Sequence, residues 1–246
     1  MLQHSSLAEV LERAKNSHIE KMITVSVDEK SWEANRLLAE SHPPIWYSLG
    51  LHPHEAKDWA KCRPRFLEAY EKALKNGRCV ALGEMGLDFF YNHSERDLQI
   101  SCFEDQLALA KKWNLPVIIH SRDAFPETYA SIRKVGLSSR GGVMHCFTGN
   151  SQQAKEAVDL GLLISFSGIL TFKTAGELKD AAKAIDISKI VIETDCPFLA
   201  PVPFRGKPNE PSLLPETAKV LADLKGASLE WISEKTSENA SRLFSI

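Results

Sequence analysis

Short apolar, β-branched runs alternate with longer stretches of helical period along almost the whole chain. The strand candidates are Met22–Val27, Ile45–Gly50, Cys79–Gly83, Val117–His120, Gly142–His145, Leu162–Phe166 and Lys189–Glu193. They are nearly continuous in apolar character rather than alternating. That predicts strands covered on both faces, as in a parallel sheet.

Helices with readable ends lie between them. Leu7–Asn16 opens the pattern. Ser94, followed three residues on by Asp97, predicts a capped helix running to about Trp113. Its Phe103, Leu107 and Ala110 fall on one stripe that should be buried. Ser151 is the expected cap of Gln152–Leu160, with Gly161 in the left-handed position beyond it, and Phe66–Asn76 is expected to stop at Gly77. Such alternation predicts an α/β fold. The reading is a TIM (β/α)8 barrel with its first strand missing or truncated, because the chain opens on a helix with no strand before it. An open doubly wound sheet is the alternative. No repeat, low-complexity tract or Gly/Ser-rich linker divides the chain, so 1–246 is read as one domain, with Pro197–Pro215 as a long loop after the last strand.

The length of 246 residues is close to the ~250 that one such barrel uses. A hydrophobic share of 43% with 25% charged residues excludes a disordered chain. Thirty basic against thirty-two acidic residues leave a net charge of −2, hence no strong field toward nucleic acid or an anionic membrane. A phosphate-bearing substrate must then be held by a local cluster or a metal ion. The apolar runs fall far short of the ~20 residues that span a bilayer. Met1–Ser6 has no apolar core of the kind a secretory signal needs, and the five cysteines form no close pair, which fits reduced thiols. The expectation is a cytoplasmic protein with no membrane association and no obligate protein partner.

Chemistry collects at the strand ends. Gly50-Leu51-His52-Pro53-His54-Glu55, Gly83-Glu84-Met85-Gly86-Leu87-Asp88, His120-Ser121-Arg122-Asp123, His145-Cys146-Phe147-Thr148-Gly149 and Glu193-Thr194-Asp195-Cys196-Pro197 each close or follow a strand candidate. In a parallel barrel these ends converge on one face. Singly, each residue has a plain structural explanation: a hydrogen-bonded histidine, a helix cap at Glu84, a turn former at Asp195. Together Glu84, His120, His145 and Asp195 supply two carboxylates and two imidazoles, a donor mixture suited to Zn²⁺, Mn²⁺ or Mg²⁺ with a position left for water. Hydrolysis is the chemistry that needs such a set. Glu84 is expected as a ligand able to bridge two ions, with His120 and His145 completing one site; Asp195 is expected as a ligand, a general base, or both. The stretch Phe204-Arg205-Gly206-Lys207-Pro208-Asn209-Glu210-Pro211 adds a guanidinium fork and a point charge for phosphate, or else an ordinary solvated loop. Nothing marks Cys146 or Cys196 as an activated nucleophile, so packing is their expected role.

These segments, with Arg205-Gly206-Lys207-Pro208-Asn209-Glu210-Pro211, resemble in order the signatures of TatD-like deoxyribonucleases, from about Leu7 to the C-terminus. The resemblance implies an amidohydrolase-type TIM barrel that hydrolyses DNA phosphodiesters with divalent ions, one to two per chain here. It places Glu84, His120, His145 and Asp195 on metal-ligand positions, the Arg205 and Lys207 loop on the substrate side, and His52 near the site but outside the ligand set. The family's opening Asp-x-His-x-His-Leu is not seen; His4-Ser5-Ser6-Leu7 is either a remnant of it or an unrelated start. The expectation from that departure is weaker metal occupancy and reduced nuclease activity. The competing readings are a same-scaffold hydrolase of another ester or amide, and a catalytically impaired binding protein.

Overall fold

The computed structural model describes residues 6–75, 77–91 and 93–246. The reading of His4-Ser5-Ser6-Leu7 as a motif remnant therefore falls largely outside the described residues, as does the end of the expected helix at Asn76. Seven strands stand in one sheet in the order of the chain: β1 (Met22–Thr24), β2 (Ile45–Leu49), β3 (Cys79–Asp88), β4 (Val117–Arg122), β5 (Gly142–Met144), β6 (Leu162–Phe166) and β7 (Ile190–Ile192). A doubly wound sheet reverses its strand order at a switch point. No reversal occurs here.

The chain packs into two compact units. One consists of Lys21–His145 with Leu160–Leu162 and Leu243–Ile246. It contains β1 to β5, each paired in parallel with the next, and the helices α2 (Glu29–Ser41), α3 (Trp59–Ala73), α4 (Arg96–Trp113) and α5 (Phe125–Val135). The core is apolar as the sequence pattern requires: Tyr47, Leu49, Leu82, Met85, Leu87 and Ile119 are buried, and so is the Phe103, Leu107 and Ala110 stripe of α4.

The second unit comprises Cys146–Asp159, Leu163–Arg242 and the described part of the first twenty residues. In it β6 pairs in parallel with β7, Ile164 opposite Ile190. Its helices are α1 (Leu7–Asn16), α6 (Ser151–Asp159), α7 (Gly176–Ala184), α8 (Leu214–Lys225) and α9 (Leu229–Phe244). Ser6 caps α1 through a reciprocal pair with Glu9. Pro197–Pro215 forms no strand and holds only a short 3-10 turn at Pro211–Leu213 before α8 begins at Leu214.

Several boundaries differ from expectation. β3 continues past Gly83 to Asp88, because Gly83 and Gly86 take the positive φ values of +148° and +139° that let the strand run on through a shift of register. β4 likewise extends past His120 to Arg122, whereas β1 ends at Thr24 and β7 at Ile192. The helix expected from Phe66 begins at Trp59. Ser94 is not the cap of α4. Its hydroxyl donates to the His54 carbonyl and accepts from the Lys57 amide, partners that the 53–58 turn brings closer than the helix end. Asn150 rather than Ser151 exchanges reciprocal hydrogen bonds with Gln153 at the start of α6.

Candidate metal centre

Glu84 sits in β3 and is buried. Its backbone is fixed from two sides: its amide donates to the Ser26 carbonyl at 2.9 Å, and the Ser48 hydroxyl donates to the carbonyl of Gly83 at 2.6 Å. Buried Ser48 thus explains a polar residue inside the apolar run of β2. Three imidazoles of the same unit face Glu84 Oε1: His120 Nδ1 at 3.1 Å, His52 Nε2 at 3.7 Å and His145 Nε2 at 3.7 Å. Ligand atoms of His52, Glu84 and His120 lie within 4.8 Å of one another.

Asp88, four residues along β3, completes the arrangement. Its Oδ2 is 3.1 Å from His120 Nε2 and 3.0 Å from His54 Nε2, while Oδ1 accepts from the amides of Phe90 and Tyr91 at 3.1 and 2.9 Å. The His120 ring is therefore held between two carboxylates.

Two buried glutamines of α4 anchor the backbone beneath these groups. Gln99 accepts from the Asp88 amide at 2.8 Å and donates to its carbonyl at 3.0 Å. Gln106 does the same for Leu51, next to His52, at 2.9 and 3.0 Å. Seven residues apart, they lie on one face of the helix.

The titration behaviour follows from this packing. Burial acts to raise the Glu84 carboxyl, but the charge of His145, the hydrogen bond with His120 and the charge of His52 hold it well below the usual carboxylate range. Burial likewise opposes the low value of Asp88, which the His120 hydrogen bond and the Tyr91 amide impose. For His120, burial favours the neutral ring, yet its hydrogen bonds with Asp88 and Glu84 win and raise it to about 9. His52 is pushed down to about 3 by burial.

The donor set fits a divalent cation. It joins imidazole nitrogens to a carboxylate that stays ionised, with a further carboxylate orienting one ring from behind. Glu84, His120 and His145 come together as the sequence reading grouped them, and His52 stands as close to Glu84 as His145 does. Asp195 lies after β7 in the second unit, with φ of +57° in a turn where its carbonyl accepts from the Phe198 amide at 2.9 Å. That turn is tied down by buried Asn209, which donates to the carbonyls of Thr194 and Phe198, both at 2.7 Å. In the same unit Arg205 is exposed and lies over the Phe172 ring at 4.0 Å; Lys207 is also exposed. The sequence reading missed Asp88 and His54 as orienting groups. The signal for Asp88 was its even spacing from Glu84 with glycine between them, which places both carboxylates on one face of an extended strand.

Comparison with known proteins decides the family. The sequence model described as "TatD related DNase" matches residues 2–245. The chain belongs to the TatD-related DNase family. A Bacillus subtilis (strain 168) member, named uncharacterized metal-dependent hydrolase YabD, is 41% identical over 98% of this chain and 94% of its own. The protein named 3'-5' ssDNA/RNA exonuclease TatD from Rahnella sp. (strain Y9602) is 39% identical over 97% of this chain and 92% of its own. Among solved structures, the TatD homologue YJJV of Escherichia coli K12 superposes with a TM-score of 0.89 at 31% identity, covering 97% of this chain and 92% of that one. The fold is thus the TIM-barrel-like one of TatD proteins, with seven consecutive strands among the described residues. The chain is a metal-dependent hydrolase by family, with a His and Glu cluster of metal-binding type.

Proposed function

We propose that this TatD-family hydrolase cleaves DNA phosphodiester bonds, acting on single strands or from an exposed end. The observation that carries the reading is the convergence of His52, His120 and His145 on one buried oxygen of Glu84. The relative named as an ssDNA/RNA exonuclease supports the substrate class. Glu84, His120 and His145 would hold the metal, Zn²⁺, Mg²⁺ or Mn²⁺, at one to two ions per chain. Asp195 would serve as a further ligand or as general base, as the family resemblance implies. When bound, such an ion supplies Lewis-acid polarisation of a phosphoryl oxygen and an acidified water.

The chain's own groups prepare the site. Asp88 fixes the plane of His120, and Glu84 stays anionic at neutral pH. Arg205 and Lys207 are proposed as phosphate contacts, and His52 as a group beside the reacting phosphate. One family match over 2–245 supports one hydrolase domain. The five cysteines form no disulfide among the described residues, which fits the reducing cytoplasm. No described helix is long and apolar enough to cross a membrane.

The deciding assay compares a single-stranded oligonucleotide with a neutral ester and an amide, with Mn²⁺, Mg²⁺ or Zn²⁺ added and with EDTA. Metal-stimulated cleavage of the oligonucleotide, lost on the order of a thousandfold in Glu84→Gln, His145→Ala and Asp195→Ala, is the expected result. Turnover of the ester or amide alone would assign the scaffold to another substrate.

A further inference from the structure

Three aromatic residues follow β3 directly, and two arginines lie over their rings. The guanidinium carbon of Arg122 is 4.0 Å from the Phe90 ring centre and 4.8 Å from that of Tyr91; that of Arg96 is 4.4 Å from Phe89. Phe90 is 55% exposed and Tyr91 43%, so these rings are not core. Among the described residues neither guanidinium is paired with a carboxylate. An arginine stem shielding an exposed ring is common, but over Phe90 it covers one face only. The Tyr91 ring stands edge-on to Phe90 at 4.8 Å and stacks on His93, so the open face is that of Phe90.

The backbone at Phe90 and Tyr91 is tied down. Asp88, the carboxylate that orients His120, also accepts the amides of Phe90 and Tyr91. The Tyr91 ring packs on His54 at 5.6 Å and on His93 at 5.7 Å. One buried carboxylate therefore fixes both a ring of the metal-type cluster and the backbone that presents the aromatic pair.

We propose that the Phe90 ring, backed by Arg122 and braced edge-on by Tyr91, forms a stacking platform for an unpaired base of a polynucleotide beside the Glu84 cluster. This rests on the phosphodiesterase reading of that cluster and adds how the strand is gripped. Exposed aromatic faces stack any base without sequence preference, and a guanidinium against the ring contributes cation–π attraction and a charge for the neighbouring phosphate. A duplex hides its base faces within the stack and cannot use the platform. A small neutral ester has no need of it. In a chain of net charge −2, local cations of this kind must supply the attraction to phosphate.

The test is equilibrium binding by fluorescence anisotropy in EDTA, with labelled single-stranded oligothymidylate, an abasic strand of equal length and a blunt duplex. Wild type should prefer the base-bearing strand over both others. Phe90→Ala should remove roughly tenfold of its preference over the abasic strand, and Phe90→Trp should restore it. Arg122→Gln should weaken both single strands and lower the salt slope. Equal binding of base-bearing and abasic strands by wild type, or a preference unchanged in Phe90→Ala and Tyr91→Leu, overturns the platform. Cleavage with Mn²⁺ is scored separately. Metal-stimulated cleavage without ring-dependent binding removes the platform and leaves the phosphodiesterase standing; ring-dependent binding without cleavage keeps the platform and removes the phosphodiesterase.

Discussion

A methyl group placed on Gly86 would stand 2.0 Å from the carbonyl oxygen of His120. The two residues are paired across β3 and β4, and the strands close up there only because position 86 has no side chain. This approach brings the His120 ring between Glu84 and Asp88.

Gly86→Ala should therefore push β4 away and distort the cluster from its backbone. Strain at φ of +139° adds to the overlap. The expected cost is about 2 kcal/mol or more of stability, read as a lower denaturant midpoint, together with loss of metal binding by titration.

Asp88→Asn keeps an oxygen for the Phe90 and Tyr91 amides but turns an amide toward His120 and His54. Metal affinity should fall roughly ten- to a hundredfold by chelator competition, because the ring loses the anion that fixes its orientation. Unchanged affinity would mean that Asp88 is only a loop cap.

Metal should stabilise the folded protein. Free Zn²⁺ or Mn²⁺ at a hundred times its Kd should add about 2.7 kcal/mol to unfolding, seen as a higher Tm. Glu84→Gln should abolish the increment. A Tm indifferent to every divalent ion would remove Glu84 from the ligand set.

Gln99→Leu takes their side-chain partner from the Asp88 amide and from the carbonyls of Asp88 and Ser94. An orphaned buried group costs about 1–3 kcal/mol, so the variant should be less stable by at least that amount. Its Asp88-bound loop should also exchange amide hydrogens faster.

Glu210 gives a pH signature within the second unit. The Arg13 hydrogen bonds, 2.8 Å from Nε to Oε1 and 2.6 Å from Nη2 to Oε2, hold its carboxyl below the ordinary value of 4.5. A carboxylate lowered in the folded state contributes stability that is present above its unfolded pKa and is lost as pH falls through the folded value. Wild type should therefore lose stability as pH drops below 4.5, and Glu210→Gln should lose less over the same interval in a urea series.

Strand and helix types were legible because burial on both faces writes itself into a short apolar run. Leu162–Phe166 and Leu7–Asn16 are matched to the residue. The residue types at Glu84, His120 and His145 pointed to metal chemistry, since imidazole and carboxylate at successive strand ends suit a cation; that His52 also faces Glu84 was not legible. Boundaries near Gly83 and Gly86 were not legible, because a glycine marks a turn and a close strand approach with the same letter.

Local sequence set which segments extend or coil and which groups can hold a proton or a cation. Tertiary structure alone decided that Asp88 serves both His120 and the Phe90 loop, and that Gln99 and Gln106 grip backbone at Asp88 and Leu51. It also decided that Arg122 lies on the Phe90 ring. Apart from the local bond from the Phe90 amide to Asp88, each of these relations joins groups on different elements, and the hydrogen bonds and ring contacts that define them act over a few ångströms. Only packing, which fixes where elements distant in the chain meet, can bring such groups within that range.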